Sequence, residues 1–245
     1  MRRLALVLAL AACGHYGFSG TDAARDSASD AALDPSLVGD WRLDDGAGTT
    51  AIDSSGLGNN GTLVGSPTWV TGELGGALAF DGATSYVDIP AKASLANIPV
   101  KTVTAWIQLG ASAAHAQIFV GKDASVACGW EFSVQPNLSI EYHQCFDQDG
   151  QWQTPPSTIA VGEWHHVAVV YDRTSTANLP TIYFDGAAQS LNVVEIPMGS
   201  EADESTKDVG IAGNAIDQTE DFAGKIDDVR IYTRALSTAE IQALP

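Results

Sequence analysis

Basic residues are scarce in this sequence. Its 245 residues include 12 lysines and arginines against 30 aspartates and glutamates, which gives a formal net charge of −18 at pH 7. A surface this acidic repels phosphate backbones, so we expect no nucleic-acid partner. It also repels anionic lipid headgroups, which excludes membrane binding by charge alone. The hydrophobic fraction of 45% is nevertheless enough for a substantial core.

Apolar runs long enough to cross a membrane are also missing. Residues 4–12 form an apolar run of nine, which follows the basic pair Arg2 and Arg3. A bilayer crossing needs about 20 apolar residues, so this run is predicted to be the core of an export signal. Residues 1–12 are therefore predicted to be a signal peptide.

The signal ends in Leu10-Ala11-Ala12-Cys13, and Gly14 follows. This resembles the lipobox of bacterial lipoproteins, in which a peptidase cuts before a cysteine that carries diacylglycerol. The resemblance implies that Cys13 becomes the acylated first residue of an exported protein, which its lipid holds on the membrane of the cell envelope. Gly14, in place of an aspartate, favours the outer membrane. The alternative is ordinary secretion with cleavage nearby and an unpaired Cys13.

The rest of the chain divides into a tether and one domain. Residues 13–36 are mostly small or polar and show no apolar periodicity, which predicts a solvated tether. Between residues 37 and 245, short apolar or alternating runs are separated by clusters of Gly, Asn, Asp and Pro. These runs lie at 77–80, 86–89, 102–109, 117–120, 130–134, 138–142, 165–171, 181–184, 209–212 and 226–232. About a dozen short strands at such spacing predict an all-β fold, a two-sheet antiparallel sandwich or jelly roll.

A helix is predicted at the C-terminal end alone. Ser237 and Glu240 have the spacing of a capping box, in which each side chain bonds the backbone amide of the other residue. Ile241 and Leu244 would then dock on a sheet.

Motifs in three groups resemble a known family. They are VGDWRLD at 38–44 with the polar turns at 53–63 and AFDG at 79–82; TVTAWI at 102–107 with WHHVA at 164–168; and YFDG at 183–186 with FAGKIDDVRIY at 222–232. The set resembles the laminin-G-like jelly roll of the concanavalin-type lectin and glucanase superfamily, over residues 37–245. Trp41, Trp106 and Trp164 each lie in an apolar run of these motifs, so we expect them to fill the space between the sheets.

The resemblance implies a calcium site, because members of this superfamily often hold a structural Ca²⁺ where the N-terminal and C-terminal strands meet. Such a cation takes six to eight oxygen ligands. The candidate ligands are Asp44, Asp53, Asn60, Asp81, Asp227 and Asp228, of which we favour Asp53 and Asp228. The alternative is that all six are turn and cap residues on an acidic surface. Residues 53–61 do not fit the EF-hand pattern, because its spaced acidic ligands are missing.

Pentraxin-like relatives bind ligands through loops at one edge of the sandwich. The matching region here contains Lys122, Asp123, Asn214 and Asp217, and the nearby Trp130 and Trp152 could stack on a sugar. Solvated loops and core packing are the competing interpretations.

No convincing catalytic site is found. Superfamily glucanases place two carboxylates about 5 Å apart with a Glu-x-Asp-x-Glu strand. The segment at 201–204 is one residue short of that motif and lies in a polar stretch, so we reject it. His165 and His166 lack further ligands at metal-binding spacing, and no Gly-x-Ser-x-Gly elbow is present.

Cys128 and Cys145 remain once Cys13 is assigned to the lipid, and export favours a disulfide between them. A two-residue loop at Pro136-Asn137 would set the two cysteines opposite each other, but it would put the apolar residues of 130–134 and 138–142 on opposite faces. A three-residue loop puts them on one face. We favour this second register and still expect the disulfide, through a bulge or loop near 143–146.

These features predict a surface-anchored, non-catalytic binding domain, with a polysaccharide or glycosylated partner as its ligand. The alternatives are a structural envelope lipoprotein without a specific ligand and a divergent glycoside hydrolase. The sequence does not separate these three on its own, because fold-level analogy is weak support for function.

Overall fold

A computed structural model of the chain describes residues 34–122, 129–213 and 220–245. The predicted signal peptide, Cys13, almost all of the predicted tether, and Cys128 lie outside these ranges. The described part forms nineteen strands, a 3-10 turn at Ala93–Leu95 and one α-helix, α1 (Thr238–Ala243). No helix within the described ranges is long and apolar enough to cross a bilayer.

The strands form two large antiparallel sheets, which confirms the predicted sandwich. Sheet A contains β1 (Leu37–Trp41), β4 (Thr68–Thr71), β5 (Gly76–Asp81), β7 (Val100–Leu109), β13 (Trp164–Asp172), β14 (Thr181–Phe184), β15 (Ala187–Ala188) and β19 (Ala223–Tyr232). Its order is β15-β14-β13-β7-β19-β5-β4, and β1 also pairs with β19. Within the described residues, the first strand begins at Leu37.

Sheet B contains β2 (Thr50–Ala51), β3 (Gly61–Val64), β6 (Tyr86–Ile89), β8 (Gln117–Lys122), β9 (Trp130–Val134), β10 (Ile140–Gln144), β12 (Gly150–Gln153), β16 (Asn192–Glu195) and β18 (Val209–Ile211). Its order is β16-β12-β10-β9-β8-β18-β6-β3-β2. A separate two-stranded sheet pairs β11 (Phe146–Gln148) with β17 (Met198–Glu201).

The core lies between sheets A and B and follows from the period of two in their strands. In β7 the residues Val103, Ala105, Ile107 and Leu109 belong to the core, while the residues between them face the other side of sheet A. Aromatic rings contributed by both sheets fill the layer, for example Tyr142 against Tyr171 at 5.5 Å between ring centroids, and Phe119 against Phe132 at 4.6 Å. Trp41 is fully buried there, as predicted.

Helix α1 packs on the outer face of sheet A, away from that core. Ser237 and Glu240 form the predicted capping box. Ile241 belongs to a second apolar cluster with Ala168, Tyr183 and Tyr232, and Leu244 packs against it. The predicted docking of the helix on a sheet is therefore confirmed.

The β9–β10 hairpin departs from both predicted registers. Phe132 pairs with Tyr142 and Val134 with Ile140, two residues away from the favoured three-residue-loop register. Because the shift is even, the apolar residues of the two strands still share one face, as expected. Leu138 lies in the turn with φ 63°, so β10 begins at Ile140 instead of residue 138.

Candidate functional site

Asp53 and Asn60, two of the predicted calcium ligands, organise the loop after β2. The Asp53 carboxylate accepts hydrogen bonds from the backbone amides of Asp40 (3.0 Å), Ser55 (2.9 Å) and Asn59 (2.7 Å) and from the Ser55 hydroxyl (2.8 Å). Asn60 Oδ1 accepts the Asp53 amide at 2.9 Å. A carboxylate has about four lone-pair positions, so protein donors already use those of Asp53.

Asp44 and Asp227 hold the turn between β4 and β5. Asp44 Oδ1 accepts the amide of Gly76 at 2.6 Å, and Asp227 Oδ2 accepts the amide of Leu74 at 2.8 Å. Both carboxylates therefore act as acceptors for one turn.

Asp81 and Asp228 are engaged elsewhere. Asp81 accepts the amides of Thr84 and Ser85, both at 3.0 Å, and these hydrogen bonds lower the pKa of its carboxyl. Asp228 Oδ2 lies 3.0 Å from an Arg230 guanidinium nitrogen.

The six predicted ligands are thus distributed over separate turns and ion pairs. Among the described residues, His143, Cys145 and Asp149 have possible metal-ligating atoms within 4.8 Å of one another. None of the six predicted calcium ligands belongs to this group. The carboxylates among the six accept hydrogen bonds or pair with an arginine, so Ca²⁺ would have to compete with those partners. Calcium binding stays an untested prediction.

Three residues of the predicted ligand-binding edge are buried. Trp130 and Trp152 are 3% and 0% exposed and belong to the core between the sheets. Lys122 is 1% exposed and donates from Nζ to the carbonyl of Leu95. Because these side chains face the interior, they line no accessible ligand surface, which corrects the sequence interpretation. Asp123, Asn214 and Asp217 lie outside the described residues, so their part of the prediction stays untested.

Cys145, one half of the expected disulfide, lies within the described residues. Its amide donates to the carbonyl of Gly129 at 2.9 Å, which places it beside the residue that follows Cys128 in the sequence. Cys128 itself lies outside the described residues, so the bond stays a prediction. The neighbouring His143 lies between two carboxylates, with Nδ1 3.6 Å from Glu131 and Nε2 3.2 Å from Asp149.

The rejected acidic segment at 201–204 is structural. Glu204 is fully buried, and its Oε1 lies 3.2 Å from Arg173 Nη1. Glu201 Oε2 lies 3.0 Å from Arg173 Nε. Both carboxylates therefore pair with one arginine, although the polar sequence did not predict the burial of Glu204.

Trp106 and Trp164 are not in the core, which is a second correction. Both are partly exposed on the outer face of sheet A. Trp106 pairs with His166 across β7 and β13, and Trp164 lies two residues before His166 on the same face. The two indoles are therefore diagonal neighbours, a spacing that leaves long side chains within reach of each other.

These indoles line a groove of about 430 Å³ between sheet A, helix α1 and two turns. Its lining consists of Glu73, Trp106, Trp164, His165, His166, Asp185, Gly186, Ile241, Gln242 and Leu244. The volume lies in the range of small-ligand sites in proteins. The lining combines aromatic surface with carboxylate, imidazole and amide groups, as such sites do.

The turn between β14 and β15 builds one wall. Asp185 and Gly186 have φ of 49° and 73°, and Phe184 pairs with Ala187, so the pair forms a two-residue hairpin loop of the type that needs positive φ at both positions. A Cβ on Gly186 would lie 3.1 Å from the side chain of Gln242. Gln242 Nε2 donates to the Gly186 carbonyl at 3.1 Å, which joins the turn to α1.

Asp185 orients the histidines of the groove. Its Oδ1 accepts the His166 amide and its Oδ2 lies next to His165 Nδ1, both at 3.0 Å. Because a carboxylate oxygen only accepts, Nδ1 of His165 is the donor in this contact. Burial lowers the pKa of His166 to about 4, so this ring is neutral at pH 7.

The opposite side of the groove is held by the C-terminal segment. The Trp106 indole N–H donates to the Pro245 carbonyl at 2.9 Å, and the Trp106 ring contacts His166 at 5.4 Å between centroids. Trp106 therefore holds the C-terminal segment and also lines the groove with an aromatic surface. Trp164 contributes the second aromatic surface of the groove.

A signal for this site was present in the sequence. In 102–109, Val103, Ala105, Ile107 and Leu109 occupy one parity and Trp106 the other. In 164–171, Val167, Val169 and Tyr171 likewise leave Trp164 and His166 on the outer face. Strict alternation would have placed both tryptophans outside the core.

The comparisons with known proteins identify the superfamily. No curated protein matches the sequence. Among solved structures, the binding domain of Paraclostridial mosquitocidal protein 1 has 16% identity and a TM-score of 0.67, and the match covers 86% of this chain and 52% of that one. The botulinum neurotoxin serotype G binding domain has 14% identity and a TM-score of 0.65, with coverage of 84% and 50%. The chain thus spans about half the length of these toxin domains.

A third structure is nearly the same size as this domain. It is domain 4 of AbnA, a GH43 extracellular arabinanase from Geobacillus stearothermophilus, in complex with arabinotriose, with 20% identity, a TM-score of 0.57 and coverage of 84% of this chain and 96% of that one. At these identities the likeness shows the fold. The laminin G family model of the concanavalin A-like lectin/glucanases matches residues 81–242, about two thirds of the sequence. The chain therefore belongs to the concanavalin A-like lectin/glucanases superfamily.

Proposed function

We propose that the chain is a non-catalytic carbohydrate-binding domain of an exported lipoprotein, and that the groove containing Trp106 and Trp164 is its ligand site. The observation that carries the proposal is the pair of partly exposed indoles on the outer face of sheet A. Trp106 is held by Pro245 and His166, and Trp164 places a second partly exposed indole beside it, so the two rings offer adjacent aromatic surfaces that a ligand can cover.

The chemistry of the groove suits a saccharide. A sugar ring has an apolar C–H face and a polar edge, and an indole provides a rigid apolar surface with a donor N–H. Glu73 and Asp185 supply carboxylate oxygens at the rim, where they can accept hydrogen bonds from hydroxyl groups. A few oriented polar groups around an aromatic surface are typical of small-ligand recognition.

A binding role agrees with the structural neighbours. Two of them are named as binding domains of toxins, and the third is domain 4 of an arabinanase, in complex with arabinotriose. The described acidic clusters are engaged in turns and in pairs with Arg173 and Arg230. Those carboxylates already have arginine partners, which is consistent with a binding role.

The test is a glycan array probed with the chain carrying Cys13→Ser, followed by titration of the best oligosaccharide. Trp164→Ala should weaken binding by at least about tenfold, since a central aromatic contact commonly contributes this much. Trp164→Phe should recover part of the loss. Trp164 is preferred to Trp106, because truncation of Trp106 would also release Pro245.

The matched control is Leu179→Ala, which removes an apolar side chain that is 64% exposed and does not line the groove. It should leave binding unchanged. An array without signal, or binding that Trp164→Ala does not alter, would refute the ligand site. Release of shorter oligosaccharides during incubation would refute the non-catalytic assignment.

The lipid anchor is tested separately. We propose acylation of Cys13 and attachment to the envelope, with the outer membrane as the destination. Cells fed an alkyne-labelled fatty acid should incorporate label into the wild-type chain and not into Cys13→Ser. The labelled chain should partition with outer-membrane fractions, and an unlabelled wild-type chain in the soluble fraction would contradict the anchor.

A further inference from the structure

We infer that the groove selects uncharged saccharides and discriminates against those that carry carboxylates, such as uronic acid or sialic acid units. This inference rests on the proposed function and adds the ligand class. It is carried by the charges that surround the two indoles.

The charged side chains that line the groove are acidic. Glu73 and Asp185 belong to the lining, and Glu163 Oε2 lies 4.0 Å from His165 Nε2. The lining residues within the described ranges include no lysine or arginine. An anionic group that enters the groove would therefore lose its hydration next to carboxylates of the same sign, and none of the described lining residues is a lysine or arginine that could pair with it.

The two histidines do not make the groove positively charged. His166 is 7% exposed and packs against Trp106, and its burial keeps the ring neutral at pH 7. His165 Nδ1 lies 3.0 Å from Asp185 Oδ2, so any charge on that ring is balanced by its carboxylate partner. Neither ring supplies a net positive charge to a ligand.

Cations elsewhere on the outer face of sheet A are committed or lie outside the groove. Arg230 is 3.4 Å from Asp40 Oδ1 and 3.0 Å from Asp228 Oδ2, which neutralise it. Lys225 pairs with Gln108 on β7, which makes it a diagonal neighbour of Trp106, but it is not one of the residues that line the groove. The formal net charge of −18 adds a long-range field of the same sign as the rim.

A neutral saccharide fits this environment. Its hydroxyl groups donate to carboxylate oxygens in short, charge-assisted hydrogen bonds, which are stronger than those between neutral groups. Glu73 is exposed and can rotate toward a ligand, while Asp185 is fixed by the His166 amide. The acidic rim thus favours hydroxyls and opposes carboxylates.

The experiment compares matched oligosaccharide pairs by isothermal titration, again with the Cys13→Ser chain. Suitable probes are galactotetraose with tetragalacturonic acid, and neutral array ligands with their sialylated derivatives. The neutral member should bind at least about tenfold more tightly at low salt, and the ratio should fall in about 0.5 M NaCl because salt screens the repulsion.

Glu73→Gln should reduce the ratio, since it removes one rim charge and keeps a hydrogen-bonding side chain. Glu195→Gln, which removes one charge on β16 of sheet B, should leave the ratio unchanged. These two variants separate a local effect of the rim from the effect of the net charge.

The outcomes distinguish the two proposals. Equal or tighter binding of the acidic members, lost in Trp164→Ala, would overturn the inference and leave the binding function intact. Absence of Trp164-dependent binding of either member would overturn both. Discrimination that Glu73→Gln and Glu195→Gln reduce equally would assign it to the net charge and overturn the role of the rim.

Discussion

Three cationic side chains are buried around a single buried carboxylate at the boundary between the sheets. Lys101, Lys122 and Arg173 are 0%, 1% and 2% exposed, and Glu204 is 0% exposed. Glu204 Oε1 lies 3.2 Å from Arg173 Nη1 and 3.9 Å from Lys101 Nζ. Burial lowers the pKa of Lys101 to about 7, and the charge of Glu204 opposes that change. Removal of the Glu204 carboxylate should therefore reduce the free energy of unfolding far more than removal of one of the cations.

Glu204→Gln leaves the three cations without their buried counter-charge. Breaking a buried ion pair in this way costs about 3–5 kcal/mol, because the remaining charges have lost their hydration. Glu201 is partly exposed and remains 3.0 Å from Arg173 Nε, so the loss in the free energy of unfolding should lie near the lower end of this range. Domains are stable by about 5–15 kcal/mol, so the variant should unfold at a much lower urea concentration.

Lys101→Met should behave differently. It removes a charge that the interior already disfavours and keeps an apolar stem next to Trp130, whose ring lies 5.0 Å from Nζ. Gln144 Oε1 loses the lysine donor at 2.9 Å but retains the Tyr142 hydroxyl, also at 2.9 Å. The free energy of unfolding should stay within about 1 kcal/mol of the wild type or increase.

Both variants are measured by urea unfolding, followed by tryptophan fluorescence, in the Cys13→Ser background. The pH dependence supplies a second readout. A folded-state pKa of Lys101 below its unfolded value of 10.5 means that the unfolded chain binds more protons between these two values. The wild type should therefore gain up to about 1.4 kcal/mol per pH unit relative to Lys101→Met above pH 7. A loss in Lys101→Met equal to that in Glu204→Gln, without this slope, would refute the reasoning.

Three further predictions concern a turn, the calcium ligands and a buried histidine. Gly65→Ala should destabilise the fold by more than about 2 kcal/mol, because its φ is +68° and a Cβ would lie 1.9 Å from the Thr84 carbonyl oxygen. Gly48 has φ +88° but open space around it, so Gly48→Ala should cost only about 1 kcal/mol. Thermal unfolding of both variants measures the difference. Asp53→Ala should cost about 2–4 kcal/mol, since four donors lose their acceptor. A drop of several degrees in the melting temperature with excess chelator would support the calcium prediction, and an unchanged melting temperature would contradict it. Burial opposes the charge of His143, but its carboxylate neighbours outweigh burial and raise its pKa above 6.5 in the folded chain. The stabilisation from this shift disappears as the pH rises through the folded pKa, so His143→Gln should lose stability at about pH 6 and little at about pH 9. An equal loss at both pH values would contradict the ion pairing.

Most of the strands could be predicted because their signal is local. The runs at 86–89, 130–134 and 181–184 coincide with β6, β9 and β14, since alternating apolar residues between turn residues need no distant partner to be recognised. The capping box of α1 is equally local. The register of β9 and β10 has no such local signal. It depends on Leu138 adopting φ 63° in the turn, a conformation that a leucine rarely takes without support from its surroundings.

The calcium prediction was limited by a property of carboxylates. Asp53, Asp81 and Asp185 all follow or flank strands and all accept backbone amides in turns. The same oxygen atoms could bind a cation, and the sequence does not show which donors reach them first. Tertiary contacts decide this, as the bond from the Asp40 amide to Asp53 across thirteen residues illustrates.

The groove illustrates a different limit, because its parts come from distant positions. Alternation could have assigned Trp106 and Trp164 to the outer face, but the walls require Glu73 from the β4–β5 turn, Asp185 from the β14–β15 turn and Gln242 from α1. Only the strand order of sheet A, with β13, β7 and β19 adjacent, brings these elements around the two indoles. The proposed preference for uncharged ligands depends on the same assembly, since that strand order gathers carboxylates at the rim and keeps Arg230 paired with Asp40 and Asp228.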